Sequence, residues 1–159
     1  MLHRLSLLIA FMACPVLAED APLLAEYNAN SGSLPPEYAW NVAVSILADG
    51  TLALKRCPGY ETDGPACKTR TAKVATEALE AIRTTVADSD LVRIPASEAA
   101  AEDIPVGGGT TGGAVYLDGQ KIALPAFPIE ADAPRVSTVL AALHAAIPAR
   151  LSKRFIEGN

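Results

Sequence analysis

Two stretches of the chain alternate apolar and polar residues, as half-buried β-strands do. In residues 38–56 the apolar positions on one face are Trp40, Val42, Val44, Ile46, Leu52 and Leu54. A two-residue turn at Asp49-Gly50 would mix the two faces of this hairpin, whereas a three-residue loop that begins at Ala48 keeps them separate. The second register pairs Ile46 with Leu52 and Val44 with Leu54, and it predicts a positive φ at Gly50.

A second hairpin follows the glycine-rich run at residues 107–113. Its turn is Asp118-Gly119, and a plain two-residue turn there puts four apolar side chains on one face: Val115, Leu117, Ile122 and Leu124. Tyr116, Lys121 and Ala123 then lie on the other face. The Asp-Gly turn that the two hairpins share is a weak internal similarity and does not establish a repeat.

Each hairpin is followed by a segment with helical periodicity. In residues 71–87 the apolar stripe is Val74, Ala78, Leu79, Ile82 and Val86. The second segment starts at Asp132, a candidate helix cap, accepts Pro134 in its first turn and ends at Pro148. Its stripe is Val136, Val139, Leu140, Leu143 and Ile147.

The element order predicts an α+β fold. Two amphipathic helices and two half-apolar hairpins bury each other's apolar faces if both helices cover one face of one sheet. We therefore expect a single domain over residues 38–148, ββαββα, with a four-stranded antiparallel sheet made of the two hairpins. Residues 19–37 are predicted to form a flexible N-terminal arm, and residues 149–159 a mostly polar C-terminal tail with Phe155 as its candidate anchor.

Residues 1–18 have the pattern of a secretory signal peptide. Arg4 precedes an apolar run, and small residues lead to Ala18, after which we expect cleavage. The run is too short to span a membrane. An alternative is lipidation of Cys14, which follows a loose lipoprotein-box pattern and would anchor the chain to a membrane. The expected location is periplasmic or secreted.

In an exported protein, a disulfide is the simplest role for Cys57 and Cys67. A bridge around so short a loop contributes on the order of 2–3 kcal/mol to stability. We expect it to tie the end of the first hairpin to the start of the following helix. Two cysteines are too few for a structural zinc site, and no metal site is predicted.

Composition and charge narrow the classes of partner. Half of the residues are apolar, but only 5% are aromatic, so the core buries less area per residue than one rich in Phe and Leu. The formal net charge is −5, and on electrostatic grounds no nucleic-acid partner is expected.

No catalytic or cofactor site is predicted, and we expect a protein that is not an enzyme. His144 lies beside the apolar stripe of the last helix and is interpreted as a residue at the edge of the core. No serine has the context of a nucleophile elbow. A pocket that converged on His144 with an acidic partner would reopen the question. The glycine run lacks the ending of a phosphate loop, and acids such as Asp88 and Glu102 lack calcium-loop spacing.

Candidate partner-binding residues lie in segments exposed in any version of this fold. One is the extended segment Ser33, Leu34, Pro35 and Pro36, suited to presentation to a groove. Another is the loop at residues 58–66, which contains Tyr60. The loop at residues 106–113 is the third.

The predicted layout resembles the emfourin family, proteinaceous inhibitors of thermolysin-like metalloproteases. The resemblance covers residues 40–147 and depends on element order and on the Asp118-Gly119 hairpin before the last helix; it transfers no inhibitory residue. The disulfide and the glycine run depart from that family. Separately, Ser31-Gly32-Ser33-Leu34-Pro35-Pro36 with Tyr38 looks like a recurring segment of exported bacterial proteins of unknown function.

The sequence thus predicts an exported, non-enzymatic domain that binds a protein or an envelope component, with protease inhibition as the most specific form. The alternative is a structural or lipid-anchored protein of the cell envelope.

Overall fold

The computed structural model describes residues 21–105 and 107–157. Six strands form one sheet: β1 (Leu23–Asn30), β2 (Trp40–Leu47), β3 (Thr51–Pro58), β4 (Lys68–Lys73), β5 (Thr110–Leu117) and β6 (Gln120–Leu124). The helices are α1 (Thr76–Asp88), α2 (Ala133–Ala146) and the short α3 (Ala149–Ser152). A 3₁₀ turn (Ala101–Asp103) and a π-helical turn (Lys153–Glu157) complete the elements. Residues 1–18, with Cys14 and the expected cleavage site, lie outside the described residues.

The prediction of a four-stranded ββαββα fold is wrong. The sheet has six strands in the order β4-β3-β2-β1-β5-β6, and all its pairings are antiparallel. β1 comes from the segment predicted to be a flexible arm, and it is central in the sheet. Alanines and asparagines, which have weak strand propensity, make up half of β1. Pairing with β2 and β5 on its two sides therefore stabilises β1, rather than local preference.

The second missing strand is β4, at the edge next to β3. The predicted first helix began at about residue 71, but the chain stays extended to Lys73 and α1 begins at Thr76. Basic residues and threonines alternate over residues 68–71, which suits an exposed edge strand. Pairing with β3 outweighs the helical pattern of the following residues.

Both predicted hairpin registers are confirmed. Ile46 pairs with Leu52 and Val44 with Leu54, and Gly50 has a φ of +81°. In the second hairpin Leu117 pairs with Gln120 across the two-residue turn, where Asp118 and Gly119 both have positive φ.

The core lies between one face of the sheet and the two long helices. Its fully buried side chains include Ile46, Leu52, Leu54, Ile82, Val86, Val139 and Leu143. Asp132 is the N-cap residue of α2, as predicted, but its carboxylate accepts a hydrogen bond from the Ser97 amide at 2.8 Å and pairs with Arg135. The chain then returns across the domain, and Phe155 is buried. The C-terminal segment is therefore packed against the domain.

Candidate functional site: a basic cleft

A cleft lies where the helix-side face of the sheet is left uncovered near one end. Register places Trp40, Arg56, Pro58, Lys68 and Arg70 on this one face, because Trp40 pairs with Pro58 and Arg56 pairs with Lys68. Arg70 pairs with Leu54, which is on the same face. These five side chains form the floor of the cleft. We call this site the basic cleft.

Two chain segments form the walls of the basic cleft. One is the connection between β1 and β2, which contributes Leu34, Glu37, Tyr38 and Ala39. The other is the C-terminal segment, which contributes Arg154 and Phe155. Ala66 completes the lining, and the cleft has a volume of about 700 Å³. That is within the range of sites that hold a ligand of drug size.

Three of the four cations of the basic cleft lie over aromatic rings. The Arg56 guanidinium lies 4.8 Å from the centre of the Trp40 ring. Arg70 and Arg154 lie 5.8 and 5.6 Å from the centre of the Phe155 ring. These distances are typical of cation–π contacts, which hold the guanidinium groups in place.

The charge of the basic cleft is opposite to that of the chain. Four of its side chains are cationic and one, Glu37, is acidic, although the formal net charge of the whole chain is −5. Among the described residues no carboxylate lies within salt-bridge distance of Lys68, Arg70 or Arg154. Burial lowers the pKa of Arg56, but an arginine remains protonated at physiological pH. The cleft is therefore a concentration of positive charge on an acidic protein.

The predicted disulfide positions two of these cations. It joins Cys57 to Cys67, whose Cα atoms are 4.1 Å apart, and it ties the end of β3 to the start of β4 rather than to a helix. Arg56 precedes Cys57 and Lys68 follows Cys67, so the bridge and the pairing of β3 with β4 bring the two cations to facing positions. The bridge is part of the construction of the basic cleft.

Two sets of contacts hold the C-terminal wall. The Arg56 guanidinium donates a hydrogen bond to the Phe155 carbonyl oxygen. Ser152 and Glu157 flank the wall residues, and the Ser152 hydroxyl donates to the Glu157 carboxylate while it lies 2.9 Å from His144 Nε2. We call these three residues the C-terminal clasp. The clasp holds both ends of the turn that carries Arg154 and Phe155.

The C-terminal clasp does not have the geometry of a catalytic triad. A triad places the acid on Nδ1 and the serine on Nε2 of the histidine. Here Glu157 Oε1 lies 3.8 Å from Nε2, the same nitrogen that faces Ser152, and Ser152 is buried. The His144 ring stacks on Tyr27, with ring centres 5.8 Å apart. Neither His144 nor Ser152 lines the basic cleft.

The predicted partner-binding residues lie in two segments that meet at Leu34, one of the residues that line the basic cleft. Leu34 lines it, and the Tyr60 hydroxyl donates a hydrogen bond to the Leu34 carbonyl oxygen. The Pro35 carbonyl oxygen accepts hydrogen bonds from the amides of Tyr38 and Ala39. Ser33 and Pro36 are exposed beside them and do not line the cleft. The structure thus brings Tyr60 to the segment around Leu34.

Other sequence candidates acquire structural roles. Gly112 and Gly113 belong to β5 and not to a flexible loop. A Cβ atom at Gly113 would lie 2.1 Å from the Glu26 carbonyl oxygen, so the close approach of β1 requires glycine there. Among residues 21–105 and 107–157, no group of three metal-binding side chains comes together.

The sequence reasoning missed Arg56, Lys68, Arg70 and Arg154 as a group. A signal was present: a disulfide between Cys57 and Cys67 necessarily brings their neighbours Arg56 and Lys68 together. Lys68 and Arg70 would then share a face if the segment were extended. The prediction of a helix from about residue 71 concealed that spacing.

No family model matches this chain, and no curated protein matches it. Within the described part of the chain, no helix is both long enough and apolar enough to cross a membrane.

Proposed function

We propose that this protein is an exported, non-enzymatic binding domain that holds an anionic ligand in the basic cleft. The observation that carries the proposal is the set of four cations on one concave surface, three of which have no carboxylate partner among the described residues. Like charges held together raise the local concentration of an oppositely charged ligand and favour its binding.

The aromatic content of the cleft supports binding of a macromolecule. Tryptophan, tyrosine and arginine are the residues that most often dominate binding energy at protein interfaces. Leu34, Tyr38 and Tyr60 are among the large hydrophobic side chains that remain exposed, and Tyr38 has 66% of its surface accessible. A cluster of exposed apolar groups beside cations is typical of an interaction site.

Protease inhibition stays a prediction from the sequence. The resemblance to emfourins depended on a ββαββα element order, and the chain has two further strands. The alternative of a lipid-anchored envelope protein depends on Cys14, which lies outside the described residues. An anionic envelope polymer and an acidic protein segment both remain ligands that the cleft's charge would favour.

The test is binding of anionic polymers to the mature chain at low and high salt. Poly-glutamate and polygalacturonate are the probes, and poly-lysine is the negative probe. We expect the Arg70→Glu and Arg154→Glu variants to lose at least about tenfold in affinity, because each charge reversal replaces attraction by repulsion. Lys121→Glu on the opposite edge strand is the matched control and should bind as the wild type does. Equal binding by all variants, or none by the wild type, would refute the proposal.

A further inference from the structure

We infer that the ligand of the basic cleft is an acidic, extended polypeptide segment that pairs with the outer edge of β4. This inference rests on the proposed function and specifies the class of its ligand. The juxtaposition behind it is an unpaired strand edge that borders the basic cleft and carries two of the cleft's cations.

The edge of β4 is open to another strand. β4 is the last strand of the sheet and pairs with β3 alone. Five of its six residues are exposed, and Ala72 is half-buried. Among the described residues, no backbone–backbone hydrogen bond joins β4 to anything but β3. Alternate amides and carbonyls of an edge strand point outward, where they can bind the backbone of an added strand.

The side chains of β4 determine what kind of strand fits. Lys68 and Arg70 are two residues apart and point to the cleft side, at a spacing of about 6.6 Å along the strand. An added strand has the same spacing, so acidic residues at alternate positions would face these two cations. Thr69 and Thr71 on the other face accept polar side chains. The preferred ligand therefore alternates acidic and polar residues.

Charge on an edge strand usually discourages association with other strands. Here the charges of β4 are all cationic: Lys68, Arg70 and Lys73. Lys73 is paired with Asp49 at 3.0 Å, whereas Lys68 and Arg70 have no carboxylate partner among the described residues. The same cations that would repel a basic strand attract an acidic one. The edge therefore discriminates between added strands by their charge and does not exclude all of them.

Arg70 is placed to respond to such a ligand. Its guanidinium donates a hydrogen bond of 2.7 Å to the Thr69 carbonyl oxygen and lies over the Phe155 ring. A carboxylate of the ligand would accept a hydrogen bond from the same guanidinium. This bond would be stronger than the bond of Arg70 to the neutral carbonyl, because both of its partners are charged.

The inference is tested with three synthetic peptides about as long as β4. One alternates Glu and Thr, one has the same composition in two blocks, and one alternates but carries N-methyl groups on every second amide. We expect the alternating peptide to bind at least about tenfold more tightly than either of the others. N-methylation leaves charge intact and removes backbone donors, so it separates strand pairing from electrostatic attraction. Bound peptide should also slow hydrogen exchange at alternate amides of β4.

The outcomes separate the inference from the proposed function. If polygalacturonate and all three peptides bind equally and all lose affinity in Arg70→Glu, the proposed function stands and strand pairing is overturned. If no anionic probe binds, both are overturned. Lys68→Gln should weaken the alternating peptide, whereas Lys121→Gln on β6 should not. Equal effects of these two substitutions would also overturn pairing at β4.

Discussion

The Ser152 hydroxyl lies 2.9 Å from His144 Nε2 and also donates a hydrogen bond to Glu157. It therefore connects the last turn of α2 to both ends of the segment that forms the C-terminal wall of the basic cleft. Sequence reasoning treated His144 as a residue at the edge of the core and residues 149–159 as a polar tail. The contact shows that these two features are parts of one arrangement, the C-terminal clasp.

Removal of the Ser152 hydroxyl should loosen that wall. We expect Ser152→Ala to lower the free energy of unfolding by about 1–2 kcal/mol, because the hydroxyl is buried and bonds two groups. Hydrogen exchange at residues 153–157 should become faster. Ser137→Ala is the matched control, since its hydroxyl is exposed on α2 and bonds only to the Pro134 carbonyl. A loss of stability no larger than that of the control would contradict a role for the clasp.

The disulfide should affect both stability and the basic cleft. We expect the double substitution of Cys57 and Cys67 by alanine to cost about 2–3 kcal/mol in chemical denaturation. It should also weaken binding of poly-glutamate, because Arg56 and Lys68 lose the bridge between their neighbours. Reduction of the wild type should reproduce both effects. Full affinity after reduction would show that strand pairing alone positions these cations.

The packing of α2 against the sheet should dominate stability. Leu143 is fully buried, so Leu143→Ala should lower the free energy of unfolding by about 2–5 kcal/mol. The same substitution at Leu34, which is 41% exposed at the mouth of the cleft, should cost less than about 0.5 kcal/mol. Leu34→Ala should instead reduce ligand affinity. A stable Leu143→Ala variant would be inconsistent with the position of α2.

Close approach of β1 and β5 should make Gly113 sensitive to substitution. A Cβ atom there would overlap the Glu26 carbonyl oxygen, and we expect Gly113→Ala to cost about 2–3 kcal/mol, as overpacking does. Gly108→Ala is the comparison, because its φ is +80° but nothing lies within 4 Å of its Cβ position. Strain alone should cost it about 1 kcal/mol. If thermal denaturation ranks the two variants the other way, the spacing of β1 and β5 is not as described.

Stability should depend on the ionisation of Asp49 in acid. Hydrogen bonds from the Thr51 amide and hydroxyl, with Lys73 next, lower the pKa of Asp49 from 3.8 to about 2. Because the folded value is the lower one, the ionised carboxylate stabilises the folded state above pH 3.8, and this contribution is lost as the pH falls towards 2. The difference in unfolding free energy between wild type and Asp49→Asn should shrink across that window.

A second variant identifies the source of the Asp49 effect. Lys73→Met should reduce the difference between wild type and Asp49→Asn without abolishing it, because the Thr51 bonds remain. Urea denaturation at several pH values measures both quantities. A difference that grows as the pH falls would have the wrong sign for a lowered pKa.

The prediction from sequence succeeded where the chain's own pattern is strong. The two Asp-Gly hairpins have the expected registers, since alternation of Val, Ile and Leu admits only one uniform apolar face. The α2 helix begins directly after Asp132, has a proline in its first turn and ends before Pro148, and these limits follow from local backbone geometry. The disulfide needed only a cysteine pair and the expectation of export.

The prediction failed for the two strands that lack an alternation of large apolar residues. Ala25, Tyr27 and Ala29 point to the core from β1, but alanine and asparagine do not mark a strand. β4 has a single residue, Ala72, that is not exposed, so it has no apolar pattern to detect. Both strands form because an existing strand offers unpaired backbone groups beside them.

By itself the sequence determined the α+β class, both hairpin registers, the extent of α2 and the cysteine pair. Tertiary structure alone decided the six-strand order, the burial of residues 149–157 and the basic cleft. The reason is physical: Arg56, Lys68 and Arg70 share a face only after β3 and β4 pair, and Arg154 joins them only after the C-terminal segment folds back over the sheet. The sequence alone does not show that charges far apart along the chain lie close together, because strand pairing and the fold of the C-terminal segment bring them together.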